Sequence, residues 1–178
     1  EEAAAMHAHW WEHSGLSELK WLPRLNDTRR RTNLTTVTRL GWDTLCEILD
    51  EGGISYPKVS GDKLAEKIDE MLCDLSGSAS TLIHSDLRAD NLLFNSLGDA
   101  VMIVDWQGCS FGPSSFDIAY HMIQSLSIED RRQHEGALLD HYINSLHSLE
   151  HHITREEVYS LYRNSILYSL SIACSVPL

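Results

Sequence analysis

Residues 82–106 read LIHSDLRADNLLFNSLGDAVMIVDW, and the rest of the chain is organised around them. An apolar run delivers His84, Ser85 and Asp86, Asn91 follows five residues after that aspartate, and a second apolar run, Val101 to Val104, ends on Asp105. Short apolar runs bounded by turn residues have the pattern of buried strands. Asn95 to Asp99 reads as a turn between two of them. A small ribbon then places Asn91 and Asp105 on the same side, and an acid, an amide and a second acid stand at strand ends.

Phosphoryl transfer asks a protein mainly to position reactants and offset charge, so it needs a carboxylate beside the acceptor hydroxyl and hard oxygen ligands for magnesium. Asp86 suits the first role, Asn91 and Asp105 the second. The spacing HxDxxxxN, followed by an apolar strand and an aspartate, is the one in which protein kinases supply those groups.

HSDLRADNLLF (84–94) and IVDWQGCSFGPSSFDIAY (103–120) resemble the catalytic half of the aminoglycoside phosphotransferase family, the small-molecule branch of the protein-kinase-like fold. AAAMHAHWW (3–11) is similar to the first helix of that family's second lobe. The resemblance implies a mainly α chain with a small β ribbon (α+β), the C-terminal lobe of the fold, as a single domain over 1–178. It also implies ATP as phosphoryl donor, Mg2+ as cofactor and a small-molecule hydroxyl as acceptor. By it Asp86 is the catalytic base, Asn91 and Asp105 are magnesium ligands, His84 braces the loop, and Asp117 holds the loop from the helix below. Arg88 stands where kinases often place a cation near the transferred phosphate. Trp106 replaces the phenylalanine usual after the metal-binding acid of protein kinases, which the small-molecule branch tolerates.

At 178 residues, 43% hydrophobic and 22% charged, the chain has the composition of one globular domain with a proper core. A net charge of −12 argues against a nucleic-acid partner, which needs a basic surface. It would suit a cationic acceptor such as an amino sugar or choline. The four cysteines, Cys46, Cys73, Cys109 and Cys174, are scattered without a CxxC pair, which reads as reduced, buried thiols of a cytoplasmic protein. Glu1 to His13 lacks the apolar core of a secretory signal. Ser165 to Leu178 is too short and serine-rich to cross a bilayer and reads as a core helix cut off early.

Along the chain, Ala3, Met6 and Trp10 recur at helical spacing. From Ser14 to Thr36 periodicity fades and Arg24, Arg29, Arg30 and Arg31 gather, which reads as a loop or ragged turns with a solvated basic face. Leu34, Val37, Leu45, Ile48 and Leu49 mark a helix stopped by Gly52 and Gly53, with Gly41 and Trp42 interrupting its middle. Leu64, Ile68, Met71, Leu72 and Leu75 trace one stripe of a helix beginning near Ser60 or Asp62 and packing under the catalytic loop. Gly108 to Ser115 reads as a loop leading into a helix centred on Phe116 to Ile123 that has almost no polar face. A carboxylate at Asp117 inside it must be hydrogen-bonded, and backbone amides of the catalytic loop are the expected partners. Ser127 with Asp130 and Thr154 with Glu157 have capping spacing for two further helices, the first with a stripe of Leu138, Leu139, Tyr142, Leu146 and Leu149. The histidines, including the pairs His9/His13 and His147/His151, complete no metal-ligand set.

The chain has neither a GxGxxG loop nor a VAIK-like strand, its only lysines being Lys20, Lys58, Lys63 and Lys67. The resemblance therefore covers only the second lobe, with the N-terminal nucleotide-clamping lobe expected to be absent. Two other classes remain compatible with the sequence. One is a non-catalytic kinase remnant that binds a partner or metabolite; the other is a metal-dependent hydrolase with His84, Asp86 and Asp105 as ligands.

Overall fold

The computed structural model describes residues 1–175. Seven helices and two antiparallel ribbons follow in the order α1 (Glu2–His9), α2 (Ser14–Glu18), α3 (Thr28–Glu51), α4 (Gly61–Ser76), β1 (Thr81–Ile83), β2 (Leu92–Phe94), β3 (Val101–Ile103), β4 (Ser110–Gly112), α5 (Ser115–Ser125), α6 (Ile128–Ser148) and α7 (Arg155–Ala173). Single 3-10 turns precede β2 (Ala89–Asn91) and follow β3 (Trp106–Gly108). This is the mainly helical α+β architecture expected of a kinase-like lobe. Among the described residues no helix is long and apolar enough to cross a membrane.

Two apolar cores meet at α5. Trp42 of α3, Ile68, Leu72 and Leu75 of α4, Ile83 of β1, Phe116 of α5 and Tyr168 of α7 form the first. Ala4 of α1, Ala119 and Met122 of α5, Leu139, Tyr142 and Leu146 of α6, and Val158 and Tyr162 of α7 form the second. With Phe116, Ala119 and Met122 all buried, α5 is wedged between the cores.

The basic stretch is more ordered than its composition suggests. Asp27 accepts from the Arg30 amide and caps α3, which runs through Arg29, Arg30 and Arg31 without a break. Arg31 pairs bidentately with Asp69 of α4, Arg30 donates to Ser110 of β4 at 3.2 Å, and Arg24 lies over the Phe111 ring. After α2, ragged turns persist as expected up to Asp27, but from Thr28 the expected solvated loop is the start of a helix in which Arg30 and Arg31 reach neighbouring elements. Gly41 and Trp42 do not interrupt that helix either. Trp42 is buried, and Gly41 lets α7 approach so closely that an added Cβ would collide with the Cys174 carbonyl.

Other differences have equally local causes. The expected loop at Gly108–Ser115 contains β4, which pairs with β1 in the register Thr81↔Gly112, Leu82↔Phe111 and Ile83↔Ser110. Strands β2 and β3 pair as Leu92↔Ile103, Leu93↔Met102 and Phe94↔Val101, but they are not buried: Leu93, Phe94 and Met102 face solvent. Helix α4 packs on α3 and α7 and shares their core with Ile83 of β1. Trp10 lies just beyond the end of α1, and Leu138 and Leu149 are exposed, outside the buried stripe of α6. None of the cysteines is in a disulfide; Cys174 is buried, Cys46 and Cys109 are partly buried and Cys73 is exposed. The apolar C-terminal stretch continues α7 to Ala173, and residues 176–178 lie outside the described part.

Gly41→Ala, a change that ordinarily favours a helix by about 0.5–1 kcal/mol, is expected to destabilise this chain by about 1–3 kcal/mol through overpacking. Urea denaturation reads the sign; a stabilised variant would mean that α3 and α7 are further apart. At the start of α7, Thr154 and Glu157 form a reciprocal capping box, and the Thr154 hydroxyl and amide hold the Glu157 carboxyl below its ordinary value of 4.5. A depressed carboxyl pKa stabilises fully above the ordinary value, and that contribution fades as pH falls through the lowered one. Thr154→Ala should therefore cost about 1 kcal/mol at neutral pH, with the gap to the unaltered chain narrowing below the usual carboxylate range.

Candidate active site

The site is built on the turn between β1 and β2. Asp117, fully buried in the first turn of α5, accepts the His84 amide on Oδ2 at 2.6 Å and the Ser85 amide on Oδ1 at 2.8 Å. A third donor comes from α1, since His7 Nε2 lies 3.3 Å from Oδ2. His7 Nδ1 in turn accepts the Tyr142 hydroxyl at 2.8 Å, whose pKa burial raises well above its ordinary value, so it stays a donor. Thr81 Oγ1 donates to the His7 carbonyl, fastening α1 to β1.

With two consecutive amides fixed, the chain must turn sharply. Ser85 adopts a left-handed conformation (φ 67°), uncommon outside glycine, asparagine and aspartate. Its hydroxyl lies 2.6 Å from that of Ser110, which also accepts from Arg30. His84 is buried under the turn: Nε2 donates to the Val104 carbonyl at 2.9 Å and Nδ1 accepts the Asp86 amide at 3.3 Å. Trp106 packs edge-on against the ring at 4.8 Å. Both imidazole nitrogens are taken by backbone groups, so His84 has no lone pair to offer a metal, and the hydrolase arrangement loses its imidazole ligand. Among the described residues no three His, Cys, Asp or Glu side chains converge as a metal set.

Asp86 emerges from this turn half-buried. Asn91 Nδ2 donates to its carbonyl at 2.8 Å and to its carboxylate Oδ2 at 3.1 Å. The bidentate contact fixes the amide orientation, leaving Asn91 Oδ1 as the atom turned away from the carboxylate. Arg88 lies 3.8 Å from Asp86 and 3.7 Å from Asp90, distances of loose ion pairs rather than hydrogen bonds. Asp105 is exposed and left-handed (φ 64°) and opens a 3-10 turn without capping it. The amide of its neighbour Val104 donates to the Asn91 carbonyl at 3.0 Å, which puts Asp105 and Asn91 at the same end of the ribbon.

Three contributors escaped the sequence reading. Tyr120, one turn beyond Asp117, has its phenol pushed up to about 12 by burial and then by its hydrogen bond to Asp86. His121 Nδ1 donates to the Leu87 carbonyl at 3.2 Å, and burial lowers its pKa, favouring the neutral ring. Ser125 Oγ accepts the Ala89 amide at 2.9 Å. The signal available for them was their spacing from Asp117 on one helix, which places 117, 121 and 125 on one face. His7 is a further contributor, and nothing near it in sequence announces a partner 110 positions away.

Comparison with known proteins bears on this arrangement. The chain is 32% identical over 110 residues to an uncharacterized kinase-like protein of Caenorhabditis elegans, a match covering 61% of this chain and 29% of that one. It is 36% identical over 67 residues to a probable acyl-CoA dehydrogenase of Arabidopsis thaliana, covering 35% and 8% respectively. It thus spans less than a third of either relative. The model of the ecdysteroid kinase-like family matches residues 44–155, which take in the whole turn, both ribbons and α5. By that match over more than half its length, the chain belongs to the ecdysteroid kinase-like family.

Proposed function

We propose that this chain carries the catalytic loop of an ATP-dependent kinase acting on a hydroxyl of a small molecule, of the kind found in the aminoglycoside phosphotransferases it resembles. The observation that carries the proposal is the Asp86 carboxylate, pinned by Asn91 and still open to solvent. A base fixed in orientation but accessible is what accepting a proton from a bound hydroxyl requires.

The neighbouring groups fit the rest of the reaction. Asn91 Oδ1 and the Asp105 carboxylate are hard oxygens at one end of the ribbon, a donor set suited to Mg2+, which keeps several waters and takes one or two protein oxygens beside the nucleotide phosphates. When bound, the ion offsets phosphate charge. Arg88, loosely held between Asp86 and Asp90, can turn to the transferred phosphoryl group. Leu93 and Met102, directly paired and 54% and 64% exposed, offer an apolar face on which a purine can lie. The net charge of −12 favours a cationic acceptor.

Asp86→Asn in the intact protein should lower acceptor-stimulated, magnesium-dependent ATP turnover by about 10²–10⁴-fold, measured across a panel of hydroxylated and cationic small molecules. Turnover absent from both proteins, with equal nucleotide affinity, would replace the kinase with a nucleotide-binding module. Asp117→Asn should act differently. It sets an NH2 against an amide donor in a buried place and is expected to cost about 3–5 kcal/mol of stability, read by urea denaturation, whereas Asp86→Asn leaves stability nearly unchanged.

A further inference from the structure

The catalytic loop lies along one face of α5 and is held there at three levels. Asp117 takes the amides of His84 and Ser85, His121 takes the Leu87 carbonyl, and Ser125 takes the Ala89 amide. The second and third levels flank Arg88. They are also joined to each other, since Ser125 Oγ lies 3.3 Å from His121 Nδ1, and the two form a clamp with one residue of the loop between its jaws.

Arg88 needs such a clamp. Its guanidinium has only loose contacts at 3.7 and 3.8 Å with Asp90 and Asp86, so its side-chain partners do not fix its direction. The backbone around it is fixed, by the Arg88 amide on the Asp86 carbonyl and the Asn91 amide on the Arg88 carbonyl in addition to the His121 and Ser125 bonds. The side chain therefore leaves from a backbone of set direction while its tip stays free to swing between Asp86 and an incoming anion.

We propose that His121 and Ser125 are positioning residues, which hold the backbone on both sides of Arg88 so that its guanidinium is aimed at the phosphoryl group in transfer. This rests on the kinase reading above. The test is ADP release from magnesium ATP by the intact protein, with water as acceptor, for Ser125→Ala, His121→Phe, His121→Asn and Arg88→Gln, singly and combined, with Asp86→Asn as reference. Ser125→Ala and His121→Phe should each lower kcat about tenfold while KM for ATP stays within about twofold, a pattern of lost transition-state contact. His121→Asn, which returns an N–H close to the Nδ1 position, should recover most of the rate. In the Arg88→Gln background neither Ser125→Ala nor His121→Phe should lower kcat further, because the group being aimed is gone.

Losses that multiply fully with Arg88→Gln, or kcat values unchanged in variants whose thermal melts match the unaltered protein, would overturn the positioning role while a dead Asp86→Asn left the kinase reading intact. If His121→Phe fails to fold, Ser125→Ala, at the partly exposed end of α5, decides the matter alone. No ADP release by the unaltered protein, or release untouched by Asp86→Asn, would overturn both readings together.

Discussion

The buried Asp117 carboxylate is the constraint on which the site depends. Placing an unpaired charge in an apolar helix between two cores would cost several kcal/mol, and the chain offsets this with two backbone amides and an imidazole N–H. Hydrogen bonds to a charged group contribute about 1.5–3 kcal/mol each, so the carboxylate is tolerated only while its donors stay in place. Because two of them are consecutive amides, satisfying Asp117 also dictates the path of the chain at His84 and Ser85. Burial of one charge thereby becomes the shape of a loop.

That shape passes outward through His84. With its amide on Asp117, its ring lies beneath the turn and joins Val104 to the Asp86 amide. Val104 in turn pairs with Asn91, and Asn91 reaches back to Asp86. The circuit Asp117, His84, Val104, Asn91, Asp86 closes on itself, linking α5 to the end of the ribbon where Asn91 and Asp105 stand. Left-handed backbone at Ser85 and Asp105 flanks the circuit, one residue after His84 and one after Val104. Helix α5 can anchor it because apolar packing on both sides holds that helix still.

What the sequence made legible was whatever is local. HxDxxxxN, the strand ending on Asp105, the capping spacings of α6 and α7 and the apolar stripe of α4 all repeat within a few residues and appear where expected. Asp117 could also be given its partners, since an acid in a helix with no polar face has few ways to be satisfied. Less visible were features whose cause lies far along the chain. Gly41 looked like a helix breaker because its reason, the Cys174 carbonyl, belongs to the last helix. The arginines after Asp27 looked solvated because their partners, Asp69 and Ser110, come 38 and 80 positions later. The strand before His84 is buried as read, but β3 reads as buried from apolar composition alone, and composition does not distinguish a covered strand from one with an open outer face.

The choice of an amide at position 91 follows from the same geometry. Its side chain must meet two opposite demands at once, donating to the Asp86 carboxylate 3.1 Å away and presenting an oxygen on its other side. A carboxylate could offer the oxygen but not the donor. It would set two like charges at hydrogen-bond distance, and one of the pair would then hold a proton far above the ordinary carboxylate range. A protonated Asp86 cannot accept a hydroxyl proton, and a protonated residue 91 is a poor cation ligand. The carboxamide has both faces without charge, so under the proposed kinase reading it would tie the orientation of the base to the place of the metal ligand in a single planar group.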